Sequence, residues 1–300
     1  MNPEMLLIRY GELALKSTSV RTRFESMLIK NIGHALQSKN ISCSIEKERG
    51  RIYLYTADIQ RAFPVVTKIF GITSISPVNK IPATLPALSD YIVHSVSPHY
   101  LAQKTFALRV TRTGTHPFTS QEIATKLGEL VRTKTNARVD LTDPDIEFCI
   151  DIRNKNAYFF TEKHRGPGGL PLGTQGNVVA FIASKESLLA AWFLMRRGCV
   201  VTFATFDTSL LESIQRFCSQ WFVPPEIFIL SKQNLSQQLL EFLRHTKSSA
   251  LVTGHIMNDS STLQEITDLK TTLQYPILSP LLTLNKSQIQ QKATKVGLSP

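Results

Sequence analysis

Long apolar runs are missing from this 300-residue chain; one of the longest, Val178–Ala183, is far too short to cross a bilayer. The amino terminus also lacks a basic stretch followed by an apolar segment of signal-peptide length. A soluble, cytoplasmic protein with no membrane partner is therefore expected. The four cysteines, Cys43, Cys149, Cys199 and Cys218, lie too far apart for a CxxC metal knuckle or a local redox pair. A disulfide framework is not expected in so large a chain, which leaves four reduced, mostly buried thiols. No histidine spacing suggests a metal site, so none is expected. His255, which follows Gly254 at a strand end, reads as a surface or hydrogen-bonded residue. Internal repeats and low-complexity tracts are absent. The Gly166–Gly173 run resembles a phosphate loop only superficially, because no strand precedes it and no helix promptly follows, so a linker is the better reading.

Basic residues, by contrast, are plentiful: 34 Lys+Arg against 23 Asp+Glu give a net charge of +11. Residues 1–80 alone carry 12 basic and 6 acidic side chains. An excess of this size favours a polyanionic partner, because each phosphate neutralised releases condensed counterions. Charge alone equally allows an anionic membrane surface or simple solubility. Hydrophobic residues make up 42% of the chain, enough for a sizeable core.

The hydrophobic pattern divides the chain into three segments. The first reads β-α-β-β-α-β. Met5–Tyr10 is an apolar run; Arg21–Gln37 carries Phe24, Leu28, Ile32 and Leu36 as one helical stripe; Ile41–Lys47 and Arg51–Thr56 flank a tight Arg49-Gly50 turn. Asp58 then caps a helix expected to run to Phe70, and Thr73–Val78 supplies the last strand. That order is the ferredoxin-like motif. The second segment is a small mixed α/β unit, with helices near Leu85–Tyr100 and Thr119–Lys134 and strands at Thr105–Thr111, Ile146–Ile152 and Ala157–Thr161. From Asn177 strands and helices alternate: strands at 177–183, 199–205, 226–230 and 249–253, helices near 186–197, 209–221, 234–246 and 285–296. Such alternation predicts a parallel sheet covered on both faces, with any ligand at the carboxyl ends of its strands. Within the first helix, Arg23 and Lys30 share a face, and Lys16, Arg21 and Arg23 form a candidate phosphate-gripping cluster at its start.

The residues also carry a resemblance. Arg9-Tyr10-Gly11-Glu12-Leu13-Ala14-Leu15-Lys16, Asn31-Ile32 and Phe70-Gly71-Ile72 are similar to the opening of tRNA 4-thiouridine synthetases. Arg109-Val110-Thr111-Arg112, Val139-Asp140-Leu141, Pro144-Asp145 and Ala157-Tyr158 resemble the THUMP domain of the same family. Gly168-Gly169-Leu170-Pro171-Leu172-Gly173-Thr174, Leu251-Val252-Thr253-Gly254, Pro276-Ile277-Leu278-Ser279-Pro280-Leu281-Leu282 and Asn285-Lys286-Ser287-Gln288-Ile289 continue the match into a PP-loop domain. The resemblance implies a ferredoxin-like domain at 1–58, a THUMP domain at 59–165, a linker at 166–176 and a degenerate PP-loop domain, of adenine-nucleotide α-hydrolase type, at 177–300.

It also implies that the first two domains clamp the acceptor region of tRNA, with Arg109, Arg112, Arg132, Lys134, Lys163 and Arg165 as phosphate contacts. The PP-loop domain would use ATP and Mg²⁺ to adenylate a uridine before sulfur transfer. The family's Ser-Gly-Gly-x-Asp-Ser loop corresponds here to Ala183-Ser184-Lys185-Glu186-Ser187, one residue short and without glycine. Glu186 stands at the family's aspartate, Ser187 at its last serine, and Lys286 at a basic position near the reacting phosphate. Ile182, Ser184, Lys185, Ser187 and Gly254 are the corresponding nucleotide-loop positions. The Gly254–Thr262 stretch is shorter than its counterpart and lacks the expected glutamine. The family's persulfide cysteine lies beyond the match to Lys286–Gly297, and no cysteine here occupies its place. Three readings follow: a tRNA-binding relative served by a separate sulfur carrier or catalytic partner, an active sulfurtransferase with an unorthodox loop, or an RNA assembly factor. A homodimer stays open in each.

Overall fold

The computed structural model describes residues 3–11, 17–257 and 260–298. Its elements run β1 (Met5–Tyr10), α1 (Thr18–Gln37), β2 (Ser44–Glu48), β3 (Arg51–Tyr55), α2 (Ile59–Val66) and β4 (Ile72–Pro82), the ferredoxin-like order. Next come α3 (Leu85–Ser95), β5 (Thr105–Thr113), α4 (Ser120–Thr135), β6 (Arg138–Val139), β7 (Ile146–Arg153), β8 (Asn156–Phe160) and β9 (His164–Arg165). The last run is β10 (Asn177–Phe181), α5 (Glu186–Arg196), β11 (Val200–Thr205), α6 (Leu211–Trp221), β12 (Ile227–Ile229), α7 (Leu235–His245), β13 (Leu251–Thr253), α8 (Ser260–Leu273), β14 (Ile277–Leu278) and α9 (Lys286–Lys295). No described helix is long and apolar enough to cross a membrane.

Two helices stop earlier than their patterns suggest. Asp58 does cap α2, accepting the Arg61 amide at 3.2 Å, but the helix ends at Val66 and the chain continues in tight turns to Gly71. Pro64 lies inside α2 and has no amide to donate, which weakens its last turn. Helix α3 ends at Ser95, with Val96 extended, because Pro98 disfavours a helical Ser97.

The chain forms two compact units. Unit 1 comprises residues 1–9, 40–64 and 74–165; unit 2 comprises 10–39, 65–73 and 166–300. In the first sheet the strand order is β2-β3-β1-β4-β8-β7-β5-β6, with β9 also paired to β4. Helices α3 and α4 cover one face of its later strands, where Leu88, Ile92, Ile123, Leu127 and Val131 meet Phe106, Phe148, Ile150 and Phe159. Strand alternation turns the odd-numbered partners Arg109, Thr111, Cys149 and Asp151 to the other face.

The second sheet is parallel throughout, in the order β12-β11-β10-β13-β14. Val178 and Ala180 of β10 join the core beneath α5, α6 and α9, while Val179 between them joins the core beneath α7 and α8. Burying each Leu, Ile or Phe here is worth about 1.5–3 kcal/mol. Strand order reverses between β10 and β13, and such a switch point opens a crevice at the carboxyl ends of the strands.

Candidate functional site

At that switch point β10 runs into a short turn. Ile182 is buried and donates its amide to Ala204 at 2.8 Å; Lys185 takes helical angles, and α5 begins at Glu186. Ser187 is buried, and its Oγ accepts long hydrogen bonds of 3.4 Å from the amides of Ala183 and Ser184. Gly254, just after β13, approaches from the other side. A Cβ there would stand 2.5 Å from Ser187 Oγ and 2.7 Å from its Cα, so only glycine allows this approach.

Beside the turn lies a cavity of about 340 Å³ floored by Ile256, Ile289, Ala293 and Leu298. Lys185, Glu186 and Lys286 all line it. Lys286 opens α9, whose start is fixed by a reciprocal Asn285–Gln288 capping pair. Of the candidate nucleotide and catalytic residues, the fold thus gathers Lys185, Glu186 and Lys286 around one cavity. Ile182 and Ser187 lie buried behind the turn, with Ser184 between them and Gly254 against Ser187.

A phosphate cradle of the kind ATP requires is built from backbone amides that converge on open space, usually because glycine removes the obstructing Cβ. Residues 182–187 contain no glycine, and two of their amides turn inward to Ser187. The turn therefore does not fit a glycine-built phosphate cradle.

A polar chain runs beside the turn. In it His255 is hydrogen-bonded, one of the two roles its sequence position suggests, while Thr253, Ser279 and Glu265 were not singled out. Thr253 Oγ1 lies 2.7 Å from Ser279 Oγ and 2.8 Å from His255 Nδ1, and His255 Nε2 lies 3.6 Å from Glu265. Polar residues just past the apolar cores of two neighbouring strands, β13 and β14, were the available signal. The cysteines offer no activated thiolate: burial raises all four, Cys218 to about 12. Cys199 and Cys218 are buried, Cys43 and Cys149 half-buried. Among the described residues no group of His, Cys, Asp or Glu could hold a metal ion.

The basic residues fall into separate sets. In unit 1, Arg109 stands opposite Cys149 where β5 pairs with β7, and Lys163 is exposed. Arg109 is already engaged, donating to Glu147 at 3.0 Å and to the Leu141 carbonyl at 2.6 Å. Arg165 is exposed on β9, and Arg112 lies one residue before the end of β5 with its guanidinium 3.5 Å from the Gly114 carbonyl. Arg132 and Lys134 sit apart from Arg109, on α4, which covers the opposite face; Arg132 pairs with Glu129, and Lys134 donates to the Val93 carbonyl. In unit 2, Arg21 lies 3.8 Å from Glu25, Arg23 sits over the Phe24 ring, and Lys30 is exposed. Lys16 lies outside the described residues.

Beneath the surface of unit 1 is a dense ionic cluster. Asp151 Oδ2 accepts Arg51 Nε at 3.0 Å and Arg153 Nε at 3.3 Å, while Thr111 donates to Oδ1 at 3.2 Å. Arg9 donates to Ser76 Oγ at 2.9 Å and lies over the Phe160 ring. Burial, then the neighbouring Arg51 charge, lowers Arg9 to about 10.

Comparison with known proteins agrees with this architecture. Residues 5–76 match the ThiI ferredoxin-like domain, 82–162 the THUMP domain, and 208–299 the model described as thiamine biosynthesis protein (ThiI). A probable tRNA sulfurtransferase of Methanobrevibacter smithii is 31% identical, the match covering 99% of this chain and 87% of that protein. That alignment spans 338 positions, more than the 300 residues here, so the relative carries insertions by comparison. The tRNA sulfurtransferase of Pyrobaculum aerophilum is 34% identical over 98% of this chain and 67% of its own length. Among solved structures, PH1313 of Pyrococcus horikoshii superposes with a TM-score of 0.83 at 28% identity, covering 98% of this chain and 100% of that one. A 4-thiouridine synthetase solved with RNA and ATP shares the fold, with a TM-score of 0.83 at 21% identity over 99% of this chain and 85% of that one. With its domain types in the same order and its own length matched almost end to end by tRNA sulfurtransferases 31% and 34% identical to it, the chain belongs to the tRNA sulfurtransferase (ThiI) family.

Proposed function

We propose that this chain binds tRNA and acts in tRNA thiolation, while its own third domain does not hold the phosphates of ATP. The observation that carries the second half is the Ala183–Ser187 turn, which lacks glycine and directs two amides to Ser187. The ThiI match resumes only at residue 208, beyond that turn. The RNA half rests on the ferredoxin-like and THUMP matches, on relatives named for tRNA sulfur transfer, and on the net charge of +11. In this reading, set in the cytoplasm, activation and sulfur delivery come from a separate carrier or catalytic protein. The RNA-contact residues are Lys16, Arg21, Arg23, Lys30, Arg109, Arg112, Lys163 and Arg165, with Arg132 and Lys134 on a separate face.

Filter binding at physiological salt should show a preference for tRNA over heparin of matched charge; equal affinity overturns the RNA half. Titration calorimetry with ATP and Mg²⁺ in the presence of tRNA should show no saturable heat. Saturable binding instead favours an active sulfurtransferase, a reading supported by the convergence of Lys185, Glu186 and Lys286 on one cavity. On that second reading Lys286→Ala would abolish the heat.

A further inference from the structure

Three turns far apart in sequence meet at one end of unit 1. The Arg49-Gly50 turn joins β2 to β3, the Asn154-Lys155 turn joins β7 to β8, and a loop through Gly114 leaves β5. Side-chain and backbone bonds join them. Arg153 donates to the Arg49 carbonyl at 3.1 Å, and Asn154 Nδ2 donates to Glu48 at 2.6 Å. The Asn154 amide reaches the Thr113 carbonyl at 3.3 Å, and the Arg112 guanidinium contacts the Gly114 carbonyl beside it.

Charge is unevenly spread through this end. Residues 48–51, 111–115 and 151–155 contain five cations, Arg49, Arg51, Arg112, Arg153 and Lys155, and two anions, Glu48 and Asp151. Both anions are engaged: the buried Asp151 holds Arg51 and Arg153, and the half-buried Glu48 accepts from Tyr53 and Asn154. Arg49, Arg112 and Lys155 remain exposed on the outside. Cations displayed on braced turns suit a ligand with repeated negative charge, because the backbone that carries them need not be ordered on binding.

We propose that this end of unit 1 is a contact surface for an RNA sugar–phosphate backbone, carried by Arg49, Arg112 and Lys155. It rests on the RNA-binding reading above and deepens it, since only Arg112 is recognisable from sequence. The contact reads no bases; it fixes where the backbone lies across both the ferredoxin-like hairpin and the THUMP strands.

The test is tRNA binding measured as a function of salt on the full chain. Arg49→Ala with Lys155→Ala removes two exposed cations and leaves the Asp151 pairs intact. The slope of log affinity against log salt should become shallower by about 1.5–2, and that of Arg112→Ala by about 1. A control pair, Lys270→Ala with Lys295→Ala, should keep the wild-type slope. If the wild type binds tRNA and the surface variants match its slope and affinity, this inference alone falls. An equal loss in the control pair also overturns it, since net charge would then suffice. Competition by polyglutamate as strong as that by RNA would assign the surface to an acidic protein instead. A wild type that binds no RNA sinks the functional reading and this one together.

Discussion

At the scale of single residues, glycine shows how the same substitution can act in opposite directions. Gly254→Ala would press a methyl against Ser187 Oγ and Cα, at 2.5 and 2.7 Å, and the contact includes backbone that cannot simply rotate away. A cost of about 1–3 kcal/mol is expected, read as a lower midpoint in urea. Gly33 lies inside α1 with nothing within 4 Å of an added Cβ. Gly33→Ala should therefore stabilise by roughly 0.5–1 kcal/mol, because alanine loses less backbone entropy on entering a helix. Equal effects at the two positions would contradict the close approach at the switch point. The sequence places Gly254 at a strand end but says nothing of Ser187 across from it. That proximity depends on β10 and β13 being neighbours, a pairing made between residues some seventy positions apart.

Among the elements, α4 is the most completely specified by local chemistry. Thr119 accepts from the Glu122 amide at 3.1 Å and Glu122 returns a bond to the Thr119 amide at 2.7 Å, while Asn136 ends the helix in the left-handed region. These bonds hold the Glu122 carboxyl below its usual range, chiefly through the Thr119 backbone and then its side chain. A lowered carboxylate adds stability above its unfolded pKa and loses it as pH falls through the folded one. Protection of α4 amides against hydrogen exchange should consequently fall between about pH 5 and 3, and Glu122→Gln should flatten that dependence. An unchanged pH profile in the variant would show that the cap contributes nothing. Helix α8, in contrast, is only weakly marked in the sequence pattern. Leu263, Ile266, Leu269 and Leu273 are spaced for a helix, but Leu263 is exposed and four of its residues are threonines, poor helix formers. The two-residue strands β6, β9 and β14 carry too little pattern to be read and exist only through pairing with longer neighbours. For the same reason the basic candidates could be named from sequence but not sorted: strand alternation and helix placement, not composition, separate Arg109 from Arg132.

At the scale of the whole molecule, the Asp151 cluster is where the first and second sequence segments become one unit. Arg51 comes from the ferredoxin-like hairpin, Asp151 and Arg153 from a THUMP strand one hundred residues on. All three side chains are largely buried, and Asp151 carries the negative charge shared by both guanidiniums. Removing it strands two guanidiniums in a poorly solvated interior that already lowers Arg9. Asp151→Ala should cost roughly 3–5 kcal/mol, seen as lost hydrogen-exchange protection in β3 and β7 together. Replacing the whole cluster tests whether the cost comes from stranded charge or from the loss of attraction. A triple variant, Asp151→Ala with Arg51→Met and Arg153→Met, leaves no uncompensated charge and should recover most of the stability. If the single variant is mild, the cluster is better solvated than its burial implies. If the triple variant is as unstable as the single one, the cluster holds the two segments together by geometry that apolar packing cannot replace.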